Sequence, residues 1–385
     1  MAFMALVERH RYKMGSSSEP ASLTNFTFFA GAGFSKSWDP DAPVGKQLFT
    51  LNEKIFRDIA DPLVLSRLFG LEYGDLSLED VRQIIYQLDM YERYPDVCSR
   101  YIDPQNISMI RAGLRAAVME RYDELAKINY FDSELEKFPL KAMTPAQGAI
   151  LQMFGHLYRC GDGSQHFAEG LRCHFATTNY DFVIETILDN VLDPEDSLFL
   201  YTYRGFTPTR VAGRSNPTTT HQHWLTWHLI KLNGGFEILR DGDRYILEYR
   251  ERKRSEVLKQ PPVLMLPSRE QDYSDPYFRV IFPKAVRLMR DTTVLVLVGY
   301  SLPDDDALMR FIIRQFAEEA EDGRGKTILY VDPFISKEDK LSQLETIFPS
   351  IRQLGAPNVV TYEGSFSDFA AEYASLIVPT DRSNN

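Results

Sequence analysis

The stretch Phe26-Thr27-Phe28-Phe29-Ala30-Gly31-Ala32-Gly33-Phe34-Ser35 is an apolar run that breaks into small residues. The run reads as a buried strand. The break is where a backbone can come close to a phosphate, with the amides of a Gly-rich turn pointing at the anion. Taken alone, Gly31-Ala32-Gly33 reads equally well as a tight strand-to-helix turn. It gains weight because Thr177-Thr178-Asn179-Tyr180-Asp181 and Gly299-Tyr300-Ser301-Leu302 follow in the order a nucleotide site needs.

Outward from this turn, apolar Leu48, Phe49, Leu51, Ile55 and Phe56 give 45–59 helical spacing. Residues 60–170 lack strand signals. Val81, Ile84, Ile85 and Leu88 form one helical stripe and Ile110, Leu114, Val118 and Tyr122 another, which places helices over about 77–92, 106–128 and 145–159. From residue 172 strands and helices alternate. Strands are expected at 172–177, 227–232, 263–266, 293–298, 327–331 and 359–362, with a hairpin over 236–249 around Asp241-Gly242. Helices are expected at 181–192, 275–289, 304–319, 336–347 and 366–376. Alternation of this kind specifies a parallel sheet with helices on both faces. The expected fold is α/β: a Rossmann-like doubly wound parallel sheet with a large helical insertion. Residues 1–22, which include Gly15-Ser16-Ser17-Ser18-Glu19-Pro20, read as a flexible tail. Residues 23–59 and 171–385 form the sheet domain, and 60–170 the insertion.

Of the 385 residues, 44% are hydrophobic and 25% charged, an ordinary globular composition. No apolar run approaches the roughly 18 residues of a membrane-spanning helix. The N-terminus lacks a signal-peptide layout, and a cytoplasmic protein is expected. The net charge of −11 disfavours direct nucleic-acid binding, which draws its affinity from Lys and Arg. The basic run Arg250-Glu251-Arg252-Lys253-Arg254 reads as a solvated loop or strand end. Cys98, Cys160 and Cys173 form no C-x-x-C pair, which excludes a paired-knuckle Zn site and argues against a disulfide framework.

In an open parallel sheet, ligands bind outside the carboxyl ends of the strands. Gly31-Ala32-Gly33, Asn179 to Asp181, Gly299 to Ser301, and Asp332 all follow expected strands, so the fold brings them to one edge. Each has a structural reading of its own, as a turn or a helix cap. Their common placement is the case for a shared site.

On these residues the chain resembles the sirtuin-like NAD-binding (Sir2) family, in its bacterial antiphage-defence branch. The family pattern opens with Gly-Ala-Gly-x-Ser and a downstream Pro, matched by Gly31-Ala32-Gly33-Phe34-Ser35 and Pro43. Its Thr-Gln-Asn-x-Asp is matched by Thr177-Thr178-Asn179-Tyr180-Asp181, with Glu185 one turn later. Its Gly-x-Ser-Leu turn is matched by Gly299-Tyr300-Ser301-Leu302, and a ribose-binding strand end by Asp332. The resemblance covers about 26–51 and 172–335. It implies NAD+ as substrate, bound by Gly31, Ala32, Gly33, Phe34, Ser35, Pro43, Thr178, Gly299, Ser301 and Asp332.

Two departures shape the expected activity. Sirtuin deacylases usually carry a Zn module built from two Cys pairs, and this sequence has none, which disfavours a peptide deacylase and implies no metal. The family's catalytic His ends a Leu-His-Gly strand, whereas here Lys231-Leu232-Asn233-Gly234 places Asn233 at that position. Asn cannot act as a general base near neutral pH. His228 falls on the opposite face of the strand, while His221 and His223 lie in a polar loop.

Cleavage of the nicotinamide–ribose bond releases a neutral leaving group through an oxocarbenium-like state. It needs enclosure and polar groups more than an acid. Asn179, Asp181 and Asn233 are the expected catalytic residues: Asn179 on the ribose hydroxyls and water, Asp181 on the carboxamide or the developing charge, Asn233 on a ribose hydroxyl. The resemblance implies an NAD+ glycohydrolase that depletes NAD+ in antiphage defence. It further implies a homo-oligomer and, at this chain length, a HerA-type ATPase partner. The alternative is a catalytically weak NAD- or ADP-ribose-binding regulatory subunit.

Overall fold

The computed structural model describes residues 2–11, 24–51, 75–97, 104–140, 142–158, 171–191, 202–211, 227–271, 273, 275–304, 306–318, 323 and 325–377. Six parallel strands form the main sheet. They are β1 (Thr24–Ala30), β2 (Leu171–Thr177), β3 (Leu229–Lys231), β7 (Thr292–Val298), β8 (Thr327–Val331) and β9 (Asn358–Tyr362), in the spatial order β3-β2-β1-β7-β8-β9. Counted along the chain, these six lie 3-2-1-4-5-6, which makes the sheet doubly wound, as expected from the sequence. The order reverses between β1 and β7, where Phe28 pairs with Val296 on one side and Phe175 on the other. This is the switch point, and a crevice opens outside its strand ends.

β1, β2, β7 and β8 are almost wholly buried, which is why they read as continuous apolar runs rather than alternating ones. Alternate residues still serve opposite faces. Phe28 meets Phe154 of α6 (Pro145–Tyr158) and Phe366 of α12 (Phe366–Leu376), whereas Phe29 meets Tyr300. A smaller antiparallel sheet, in the order β5-β4-β6, joins β4 (Gly234–Asp241), β5 (Arg244–Leu247) and β6 (Pro262–Leu264). The β4–β5 hairpin turns at Gly242, whose φ of 60° suits glycine.

The insertion helices lie close to their sequence-based bounds: α4 (Leu78–Arg93), α5 (Pro104–Ala126) and α6. Their buried residues belong to one contiguous core with the sheet. Val81, Ile84, Leu88, Leu114 and Val118 are each fully buried, and each stabilises the fold by about 1.5–3 kcal/mol relative to exposure.

Two expectations change. The N-terminal tail begins as a helix, α1 (Ala2–Arg11), with Phe3 buried against Phe26, Phe28, Phe369 and Tyr373. The continuous helix expected over 45–59 is interrupted after one turn, α3 (Gly45–Leu48), because Leu51 leaves to pair with Leu76. The rest of that segment, with residues 12–22 and 60–74, lies outside the described residues. The basic run is a loop over 250–253, as expected, and leads into a short helix, α8 (Arg254–Lys259). Arg250 pairs with Glu248, Arg254 with Glu120, and Arg252 donates to the Glu256 and Gln260 carbonyls.

Candidate functional site

At the switch point two glycine turns interlock. β1 leads through Gly31 into α2 (Ala32–Trp38), and β7 ends in Gly299 with φ of 59°. The Gly31 amide donates to the Val298 carbonyl at 2.9 Å and the Gly33 amide to the Gly299 carbonyl at 3.0 Å. A Cβ on Gly31 would lie 2.5 Å from the Gly299 carbonyl oxygen, and one on Gly33 2.6 Å from the Gly299 Cα. The glycines are therefore required by each other. This corrects the expectation that the turn's amides all point at an anion: those of Gly31, Gly33 and Phe34 are engaged within the backbone. Ala32, the first residue of α2, lines the cavity described below.

The end of β2 is tied to the same turn. Thr177 donates its hydroxyl to the Ala30 carbonyl at 2.8 Å and accepts the Asn179 amide at 3.0 Å. Asn179 Nδ2 then donates to the Gly31 carbonyl and to Ser35 Oγ, both at 2.8 Å. Ser35 Oγ passes its own hydrogen to Asp181 Oδ2 at 2.6 Å, and Tyr122 of the insertion donates to that oxygen at 3.1 Å. The Val183 amide, at the start of α7 (Val183–Asn190), holds Asp181 Oδ1 at 3.0 Å. Burial raises the Asp181 carboxyl pKa, against the pull of Ser35 and Lys231. Burial, with the charge of Asp181, also lifts the Tyr122 phenol well above its usual range, so Tyr122 stays a donor.

Beneath Asp181 lies a buried ionic cluster. Lys231 Nζ donates to the Asp181 carbonyl at 2.6 Å and pairs with Glu185 at 2.9 Å and Glu237 at 3.0 Å. Burial lowers the Lys231 pKa, but the two carboxylates outweigh it and the net shift is upward. Burial pushes Glu237 up to about 7, with Lys231 opposing. Two acids sharing one ammonium in a dry site make this outcome natural.

One cavity of about 1090 Å³ runs along the strand ends. That is the upper end of small-molecule pockets and suits an extended ligand. Asn179, Asp181 and Asn233 all line it. So do Ala32, Gly33, Ser35, Pro43 and Thr178 from the first half of the sheet, and Gly299, Ser301 and Asp332 from the second. Gly31 and Phe34 do not. Gly31 acts through its carbonyl, and Phe34 is core, packed on Phe175 and Phe366. Asn233 is fixed by its backbone, whose carbonyl accepts from the Met265 amide at 2.8 Å. Asp332 Oδ1 accepts the Phe334 and Ile335 amides, which shapes the turn after β8.

His228 lies away from the cavity, facing His174 at 3.1 Å. Burial, with Arg172 and Lys284, lowers it to about 4, so it is neutral at pH 7. His221 and His223 lie outside the described residues. Sequence reading missed Tyr122, whose place in a helical stripe looks like plain core. It also missed Arg82 and the Glu79–Arg269 pair, which line the insertion side of the cavity.

Residues 174–348 match the model of the SIR2-like domain. This part of the chain is similar to that domain. The match runs from β2 to the end of α11 (Lys337–Ile347) and holds Asn179, Asp181, Asn233, Gly299, Ser301 and Asp332. The Gly31–Ser35 turn precedes it but docks against Gly299 inside it. Among solved structures, a Sir2 homolog–NAD complex is 14% identical with a TM-score of 0.39, covering 96% of this chain and 97% of that one. Sir2Tm bound to a propionylated peptide is 10% identical with a TM-score of 0.38, covering 97% and 96%. Scores at this level lend no support to a shared ligand. No curated protein sequence matches the chain. Among the described residues, no group of His, Cys, Asp or Glu is placed to hold a metal ion, and no helix is long and apolar enough to cross a membrane.

Proposed function

We propose that the chain is an NAD+ glycohydrolase, converting NAD+ and water to nicotinamide, ADP-ribose and a proton. The observation that carries this reading is the fixed side chain of Asn179. Its Nδ2 is held by Gly31 and Ser35, so its Oδ1 is the atom left for a ligand in the cavity. An amide oxygen there accepts a ribose hydroxyl or an attacking water. The C1′–nitrogen bond breaks with its electron pair going to nicotinamide, and water adds to C1′ as the cation forms. Water bound to such a cation is acidic, so Asn233 in place of a general base does not stop the reaction. Asp181, one shell below, places negative charge under the developing cation. Ala32 N–H, Ser301 and the N-terminal turn of α12, where Ser365 and Ser367 line the cavity, supply donors for the phosphates.

The SIR2-like match supports an NAD-dependent activity, and the absence of Cys pairs in the sequence favours hydrolysis over peptide deacylation. By its resemblance, the protein acts as an NAD-depleting effector in antiphage defence, as a homo-oligomer working with a HerA-type ATPase. Purified protein is incubated with NAD+, with and without such a partner, and nicotinamide release is followed. Folded, nucleotide-binding protein that releases none under either condition overturns the assignment.

Asn233 favours one second reading, an NAD- or ADP-ribose-binding regulatory subunit. It predicts thermal stabilisation by ADP-ribose without turnover. Asn233→His separates the two: a disabled hydrolase gains activity, whereas a binding subunit does not.

A further inference from the structure

We propose that Tyr122, carried by the helical insertion, is a positioning residue that holds Asn179 in its working orientation. This rests on the assignment of Asn179 to the ribose end of the site. The connection runs through two side chains. Tyr122 donates to Asp181 Oδ2, and Ser35 Oγ donates to the same oxygen. A serine hydroxyl has one hydrogen. Given to Asp181, it leaves lone pairs that accept from Asn179 Nδ2 at 2.8 Å. The direction of that hydrogen therefore decides whether Ser35 joins the Gly31 carbonyl in holding the Nδ2 end of the Asn179 amide.

The ionised carboxylate accepts from both hydroxyls at Oδ2 more strongly than the neutral acid does. A proton on Asp181 Oδ2 crowds a third hydrogen into a place built for two, turns Ser35 away, and leaves Asn179 with one of its two acceptors. Tyr122 favours the ionised form by donating to it. The charged and titratable groups facing Asp181 are Lys231 on β3, Glu185 on α7 and Tyr122 on α5, with the Ser35 hydroxyl from α2. Asp39 adds a weaker effect on Tyr122 itself. Tyr122 is 6% exposed, and its ring packs edge-on to Phe236 at 5.6 Å. The ring thus stays in place when only the hydroxyl is removed. Through this hydroxyl the insertion reaches Asp181, so a shift of α5 disarms the site.

The test is Tyr122→Phe in the full chain, with kcat, KM and ADP-ribose affinity measured across pH. On the acid side kcat falls about tenfold, because the lost hydrogen bond to a charged acceptor is of that size. The acid-side midpoint moves up by about one pH unit in both kcat and ADP-ribose affinity. On the alkaline plateau, where Asp181 is ionised without help, both return to within about threefold of wild type. A loss that is uniform across pH, or curves that superimpose on wild type, overturns the proposal. If the wild type releases no nicotinamide, the hydrolase assignment falls on its own. The pH dependence of ADP-ribose affinity then decides the role of Tyr122: a displaced midpoint supports it, and superimposed curves overturn it.

Discussion

One wall of the cavity is made of backbone and the other of side chains. The β1 and β7 turns interlock through the amides and carbonyls of Gly31, Gly33, Val298 and Gly299, within a few residues of sequence on each strand. The opposite wall assembles Ser35, Tyr122 and Asp181 from distant segments, backed by Lys231 and Glu237. The first wall tolerates almost no added atom. The second tolerates shape changes but no missing charge or hydrogen. Substitutions therefore fail differently on the two sides: by steric exclusion on one, and by an orphaned polar group on the other.

The largest effect is expected on the backbone wall. Gly299→Ala puts a side chain at φ of 59° and drives its Cβ into the Gly33 and Phe34 backbone. Left-handed strain plus overpacking is expected to cost on the order of 3–5 kcal/mol, read by urea unfolding. A variant as stable as wild type would show that the two turns do not depend on each other. On the side-chain wall, Lys231→Met leaves Glu185 and Glu237 buried with no ammonium between them. The expected loss is about 3–4 kcal/mol, smaller at acid pH where Glu237 carries its proton. Equal stability across pH would contradict the ionic account of this wall. Asn179→Ala, where the walls meet, is expected to leave folding intact and lower kcat about a hundredfold, the scale of losing one oriented polar contact in a transition state.

The smallest effect concerns Glu237, whose pKa rises from the ordinary 4.5 to about 7. A raised folded-state value means the native protein holds the proton more tightly than the unfolded chain. That contribution to stability is complete below about pH 4.5 and is lost as pH rises through about 7. Glu237→Gln removes the slope. Unfolding free energies at pH 5 and pH 8 are expected to differ less in the variant than in wild type, by on the order of 1 kcal/mol. An unchanged slope would place the titration elsewhere.

The same contrast explains what the sequence made legible. The strands of the sheet are continuous apolar runs, and burial on both faces writes itself into composition. The α4 and α5 stripes follow from helical spacing. The Gly31-Ala32-Gly33 turn was legible as a close approach but not as to what: a phosphate and a facing Gly299 demand the same absence of Cβ. Tyr122 was read correctly as buried, yet a stripe of Ile110, Leu114, Val118 and Tyr122 does not say that its last member ends in a functional hydroxyl. The Lys231 cluster joins residues 185, 231 and 237 through the fold alone. The α1 helix was hidden because the Ser-rich stretch behind it has linker composition, while Phe3 and Val7 pack on partners far along the chain.

Product analysis after incubation with NAD+, comparing wild type with Asn179→Ala and monitoring ADP-ribose binding in both, tests the central claim most directly. The expected result is nicotinamide and ADP-ribose in equal amounts from wild type, and about a hundredfold less from the variant. Wild-type protein that binds ADP-ribose but leaves NAD+ intact, or an Asn179→Ala variant that hydrolyses NAD+ as fast as wild type, would contradict it.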